Sequence, residues 1–159
     1  MLQIAIYYLK IMTSSLFNIS QIKLDTLTHH IKSMTLSQWD IYDADCKRHV
    51  LENTQITIDT INNCLSRKHK IYTKNITIHY IKYDLEEPYL LREHNDGCKQ
   101  TIIIYLEKDS SIKDTFYVNK KIVNNSNWTY NGFIMDGTLK HHGIFEGYGK
   151  RNILCIFIN

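Results

Sequence analysis

Apolar positions fall into two textures along the chain. In the first seventy residues they recur at spacings near three and four: Ile22, Leu24, Leu27, Ile31 and Met34 follow the period of one helix face. Ile58, Ile61 and Leu65 repeat that period and run into Arg67, Lys68 and Lys70, cations that suit a helix C-terminus. Between these segments Ser37 has the chemistry of an N-cap, with Asp40 in the first turn of a helix carrying Trp39 and Ile41. From residue 71 the pattern changes. Ile76, Ile78 and Tyr80 alternate with Thr77, His79 and Ile81, as in a half-buried strand. Thr101 to Leu106 is a continuous, largely β-branched run, which predicts a strand buried on both faces. Further strands are expected at 115–118, 130–135 and 151–158, separated by clusters of Asn, Asp, Gly and Ser. Helices first and strands after predict an α+β domain, a sheet sandwich or barrel covered by N-terminal helices. With no Pro/Gly/Ser-rich linker and no repeat, 1–159 is expected to be a single domain, 1–70 mainly helical support and 71–159 the β core.

Composition narrows this picture slightly. The chain has 159 residues, 43% hydrophobic and 22% charged, which is ordinary for one globular domain, while 6 Gly and 1 Pro exclude a collagen-like chain. Ile occurs about two dozen times, and Asn, Lys and Tyr are also abundant, a bias expected of an A/T-rich genome such as that of a virus, a protist or a low-GC bacterium. Single Ile, Asn or Tyr residues therefore carry little weight, and the sequons at Asn18, Asn75 and Asn127 are expected noise. The net charge of +3 falls far short of the dense basic patch of a nucleic-acid binder. The apolar stretch Leu2 to Leu9 is broken by Lys10 and is shorter than the roughly 18 residues of a membrane helix. It also lacks the basic start and small-residue cleavage site of a signal peptide. Cys46, Cys64, Cys98 and Cys155 form no CxxC pair, so buried reduced thiols in a soluble, intracellular, cytoplasmic protein without a membrane partner are expected.

The chemistry concentrates in two segments. In His94-Asn95-Asp96 a His and an Asp two apart can reach one metal where a strand ends and turns, and Gly97 supplies a permissive turn. The second segment is Lys140-His141-His142-Gly143, followed by Gly149-Lys150-Arg151 and the apolar run Ile153 to Ile158. Adjacent histidines point to opposite sides of an extended chain, so at most one of His141 and His142 faces a shared interior. Two neutral imidazoles and one carboxylate form the facial triad of non-haem Fe(II) oxygenases. Three coordination positions then stay open, two for the oxo and C1 carboxylate oxygens of a 2-oxo acid and one for dioxygen. The far carboxylate of that acid needs a fixed cation. Arg151 lies where its planar fork could serve.

These residues resemble those of the Fe(II)- and 2-oxoglutarate-dependent dioxygenases, most closely the prolyl-4-hydroxylase branch. His94 and Asp96 match the family's H-x-D, and His141-His142-Gly143 through Gly149-Lys150-Arg151 resembles its H-x-G…G-x-[RK] segment. Thr101 to Leu106 is similar to the strand that follows the H-x-D, and Asp114-Thr115-Phe116 loosely resembles the G-G-x-T-x-F stretch. The likeness is close over 89–158 and looser from 76. It implies a double-stranded β-helix (jelly-roll), with 71–159 as the catalytic core. It also implies Fe(II) held by His94, Asp96 and His141, and 2-oxoglutarate held by Arg151 and Tyr105, with ascorbate as a stimulant. His141 fits the family spacing to Gly143, Gly149 and Arg151, while His142 fits a spacing one shorter to Arg151. The implied reaction is hydroxylation of a C–H bond in a peptidyl prolyl or other protein side chain. The alternatives are a nucleic-acid demethylase of the same chemistry and a non-catalytic jelly-roll module. Two features depart from the family: the paired glycines before Thr115-Phe116 are missing, and the stretch from Asp96 to His141 is short. Tyr83 and Tyr89 are expected near the pocket, Trp39 and Trp128 in the core or rim, and His29, His30, His69 and His79 in structural or surface positions.

Overall fold

The computed structural model describes residues 15–34, 40–43, 46–124 and 130–159. The Leu2–Leu9 stretch, Ser37, Trp39, Asn127 and Trp128 lie outside them. In chain order the elements are β1 (Ser15–Phe17), α1 (Gln21–Ser33), β2 (Asp40–Asp43), β3 (Cys46–Leu51), α2 (Gln55–Cys64), β4 (Ile76–Leu85), β5 (Tyr89–His94), β6 (Gln100–Lys108), β7 (Lys113–Val118), β8 (Lys121–Asn124), β9 (Gly132–Asp136), β10 (His141–Glu146) and β11 (Gly149–Ile158). They form a seven-stranded sheet ordered β1-β9-β6-β11-β4-β3-β2 and a four-stranded sheet ordered β5-β10-β7-β8. All the pairings are antiparallel. From β4 onward the chain passes back and forth between the two sheets, which is the double-stranded β-helix.

The side-chain period of two explains how the large sheet serves two cores. In β6, Ile102, Ile104 and Leu106 face one way and join Leu27, Ile31, Ile58 and Ile61 of the helices. Ile103 and Tyr105 face the other way and meet Phe116, Phe133 and Phe145 between the sheets. In β11 the same parity sends Leu154 and Ile156 to the helices and Ile153 and Cys155 to the interior between the sheets. The unbroken apolar run therefore reflects two covered faces, as its sequence suggested.

The helices match the predicted period with informative exceptions. Leu24, Leu27 and Ile31 are buried on α1, and Met34, at its C-cap, packs against the same core. Ile22 is 81% exposed, because it stands two residues before Leu24 and so about 200° around the helix. Thr54 caps α2 by accepting from the Thr57 N–H at 3.3 Å. That helix ends at Cys64, before the basic residues. Arg67–His69 forms a separate 3-10 turn, so those cations are not in the last turn of α2. The helix expected after Ser37 is not formed over its described part: Asp40–Asp43 is strand β2, paired with β3. An edge hydrogen-bonding partner outweighs local capping chemistry there. The described residues of 1–70 thus contribute three strands to the large sheet as well as two helices. Among the described residues no helix is long and apolar enough to cross a membrane. Cys46, Cys64, Cys98 and Cys155 are all buried.

The face assignment on α1 is checked by a pair of substitutions. Leu27→Ala should lower unfolding stability by about 2–5 kcal/mol, while Ile22→Ala should change it by less than about 0.5 kcal/mol. Denaturant melts that shifted equally for both would contradict the packing.

Candidate metal centre and its cavity

β5 ends at His94, the chain turns through Asp96 and Gly97, and β10 begins at His141 directly across from His94 in the pairing register. Gly97 takes φ +68, a conformation open to glycine at little cost. The carbonyl of Gly137 accepts from the N–H groups of Asp96 at 2.9 Å and Gly97 at 3.1 Å, which pins the turn. A Cβ on Gly137 would stand 2.6 Å from the Cys98 carbonyl oxygen, so a side chain there would push the turn away.

His94, Asp96 and His141 come together, with one donor atom of each within 4.8 Å of the others. His94 Nε2 is 3.6 Å and His141 Nε2 3.5 Å from Asp96 Oδ1. Each imidazole is oriented by its other nitrogen: His94 Nδ1 meets the Arg92 carbonyl at 2.8 Å, and His141 Nδ1 meets the Leu139 carbonyl at 3.0 Å. A carbonyl only accepts, so Nδ1 carries the proton and the Nε2 of a neutral ring presents a lone pair. Two imidazole lone pairs and a carboxylate oxygen then face one another, a donor set that a cation resolves. Thr101 on β6 donates to Asp96 Oδ2 at 2.5 Å and fixes the second carboxylate oxygen. Burial pushes the Asp96 carboxyl up. The Thr101 hydrogen bond and the neighbouring imidazoles outweigh that and hold it below its ordinary value.

Strand parity separates the two adjacent histidines. His141, Gly143 and Phe145 are buried on the inner face of β10, while His142 and Ile144 face outward. His142 stacks on the Tyr117 ring at 4.4 Å and stays out of the cluster.

The cluster borders a cavity of about 970 Å³, whose walls also include Arg151, Tyr105, Tyr83 and Tyr89. The side chain of His94 is 42% exposed and that of Arg151 only 2%, so the cavity runs from a mouth at the histidine to a dry interior at the guanidinium. The Arg151 guanidinium lies 3.8 Å from the Phe145 ring centre and 4.9 Å from that of Tyr83. Its Nε donates to Asp114 Oδ2 at 2.6 Å, while its Nη1 is buried without a hydrogen-bond partner. Burial opposes the Arg151 charge, but the charge and hydrogen bond of Asp114, together with Tyr83 and Tyr105, outweigh it and keep the guanidinium protonated. Tyr105 is buried, with its ring centre 5.8 Å from the guanidinium. Burial, with the Asp96 charge next, pushes the Cys155 thiol well up, so that it stays protonated beside the cavity.

The other residues singled out in the sequence lie apart from the cluster or play packing roles. Tyr83 and Tyr89 stack edge to face at 5.2 Å in the cavity wall. His79 lines another part of the cavity against Phe157. His30 pairs with Thr57, and His69 with Ser66. Two contributors escaped the sequence reading. Thr101 reads in the sequence only as the start of a buried strand. Asp114 shares the inner face of β7 with Phe116 and Val118, and a carboxylate on the apolar face of an alternating strand is a signal that a buried cation lies opposite.

No family model and no curated protein matches the sequence. Solved structures share its fold. A prolyl-4-hydroxylase from Pseudomonas putida aligns with 91% of this chain and 90% of its own, at a TM-score of 0.59 and 8% identity. A prolyl hydroxylase from Trichoplax adhaerens, solved with a peptide fragment of the hypoxia-inducible factor oxygen degradation domain, covers 91% of this chain and 82% of its own, at 0.55 and 14%. An oxidoreductase of the 2OG-Fe(II) oxygenase family from Burkholderia pseudomallei covers 82% and 76%, at 0.54 and 11%. The chain thus has the fold of the Fe(II)/2-oxoglutarate oxygenases, prolyl hydroxylases among them.

Calorimetric titration with Mn(II) tests the cluster. His141→Ala should abolish binding that His142→Ala retains, and Thr101→Val should weaken it by about 10–100-fold. Retention in His141→Ala would refute the donor set.

Proposed function

We propose that this protein is a non-haem Fe(II)- and 2-oxoglutarate-dependent dioxygenase that hydroxylates a C–H bond of a peptidyl prolyl or other protein side chain. The observation that carries this reading is the pair of imidazole Nε2 atoms facing the Asp96 carboxylate at the mouth of a cavity with a buried guanidinium inside. The donor set fits iron(II), because two imidazoles and one carboxylate leave room for further ligands. Bound there, iron(II) would supply dioxygen activation, one oxygen atom entering the substrate C–H bond and the other the succinate formed with CO2 from 2-oxoglutarate.

The remaining roles belong to the chain. His94 and His141 hold the metal through Nε2, kept in that tautomer by the Arg92 and Leu139 carbonyls. Asp96 contributes negative charge, held deprotonated by Thr101. Arg151 offers its unpaired Nη1 to the far carboxylate of 2-oxoglutarate, with Tyr105 beside it. Tyr83, Tyr89 and Phe145 pack their rings against one another around this end and exclude water. A protein or peptide substrate is favoured over nucleic acid because the net charge is only +3 and two of the fold neighbours are prolyl hydroxylases, one of them solved with a peptide.

Purified protein given Fe(II), 2-oxoglutarate and ascorbate should release succinate. Chelation should stop the release and added Fe(II) should restore it, while Asp96→Ala should stay at background. Metal uptake without any 2-oxoglutarate turnover would replace this reading with a non-catalytic module. Strong, salt-sensitive DNA or RNA binding would move the substrate to nucleic acid.

A further inference from the structure

Arg151 meets the cavity already committed to an anion. Its Nε donates to Asp114 Oδ2 at 2.6 Å, and the two side chains are 2% and 0% exposed. Arg151 lines the cavity and Asp114 does not, so the guanidinium forms the wall between the cavity and a buried carboxylate. Lys108, opposite Arg151 on β6, is a further charge near this pair. Its ammonium donates to the Ile112 carbonyl at 2.8 Å, and Lys108 does not line the cavity either. A ligand that brings a carboxylate to the free Nη1 edge therefore shares one guanidinium with a second carboxylate. With both side chains almost fully buried, solvent screens the two like charges little. A ligand with an uncharged far end meets no such opposition.

We propose that Asp114 sets co-substrate selectivity from behind Arg151: its carboxylate opposes a second carboxylate in the cavity and holds down affinity for dicarboxylic 2-oxo acids relative to 2-oxo acids with an uncharged far end. The inference rests on the 2-oxo-acid reading of the same cavity. Asp114 touches no ligand and acts only through the guanidinium, as a positioning residue. The dry setting gives this coupling its size. In water the two carboxylates would be screened, whereas here each is a principal partner of the same cation.

The test is calorimetry on the Mn(II)-loaded full chain with two probes of equal carbon count. One is 2-oxoglutarate, and the other is 2-oxopentanoate, which carries a methyl in place of the far carboxyl. In the wild type the preference for 2-oxoglutarate should be below about tenfold, because an uncompensated buried guanidinium would give on the order of a hundredfold or more. In Asp114→Asn, and in Asp114→Ser as a second neutral variant, 2-oxoglutarate should tighten on the order of tenfold or more, with 2-oxopentanoate unchanged. Mn(II) uptake, measured in the same samples, reports whether each variant has folded. The wild-type ratio stands without the variants. A wild-type preference of about a hundredfold or more, or variants in which both acids shift together or 2-oxoglutarate weakens, overturns the proposal and leaves the 2-oxo-acid reading intact. Mn(II) uptake with no binding of either acid by any form overturns both.

Discussion

A guanidinium stripped of water needs an anion close by, and here that need is met across the gap between the two sheets. Arg151 comes from β11 of the large sheet and Asp114 from β7 of the small one. Phe145 on β10, Tyr83 on β4 and Tyr105 on β6 place rings around the same cation. One buried charge thus ties five strands of both sheets together. Removing either partner would strand the other in a dry interior, at a cost on the order of 3–5 kcal/mol. The pair therefore constrains how the sheets face each other, and with them the cavity.

The cluster of His94, Asp96 and His141 follows a different logic at the outer end of that cavity. It is built from atoms that repel one another unless something positive lies between them. Backbone carbonyls of Arg92 and Leu139 hold the two rings, Thr101 holds the carboxylate, and the Gly137 carbonyl holds the turn that carries it. None of these supports depends on the ligand, so the donor set is organised in advance. The large sheet makes this possible. Its outer face is covered by the two helices through Leu27, Ile31 and Ile61, which frees its inner face to carry Arg151, Tyr105 and Thr101 toward the small sheet.

Much of this was legible along the chain because strands and helices impose different periods. The run 101–106, the alternation at 76–81 and the apolar ends of β9 and β11 marked the principal strands of the β-helix. The helices at Leu24–Ile31 and Ile58–Leu65 followed from spacing alone. Local chemistry misled at Asp40–Asp43, where a cap and an acidic first turn suggested a helix and a neighbouring strand decided otherwise. It misled again after Cys64, where the basic residues form a turn of their own. Ile22 was counted on the buried face by proximity in number, although its angle around the helix puts it in solvent.

By itself the sequence determined the ingredients of the site: an H-x-D beside a glycine turn, a second His segment, and an Arg on the final strand, all on a chain whose patterning demanded helices over β-structure. It left open which of His141 and His142 turns inward, because two adjacent residues on a strand have equivalent claims until a register is set. Pairing β10 with β5 and β7 set that register, burying His141 beside His94 and leaving His142 on Tyr117. It also gave Asp114 no role, because the meaning of a carboxylate on an apolar face depends on what stands opposite. Only the packing of one sheet on the other brought Arg151 there, since a cation and an anion 37 positions apart in the chain become partners only when strands from different sheets converge.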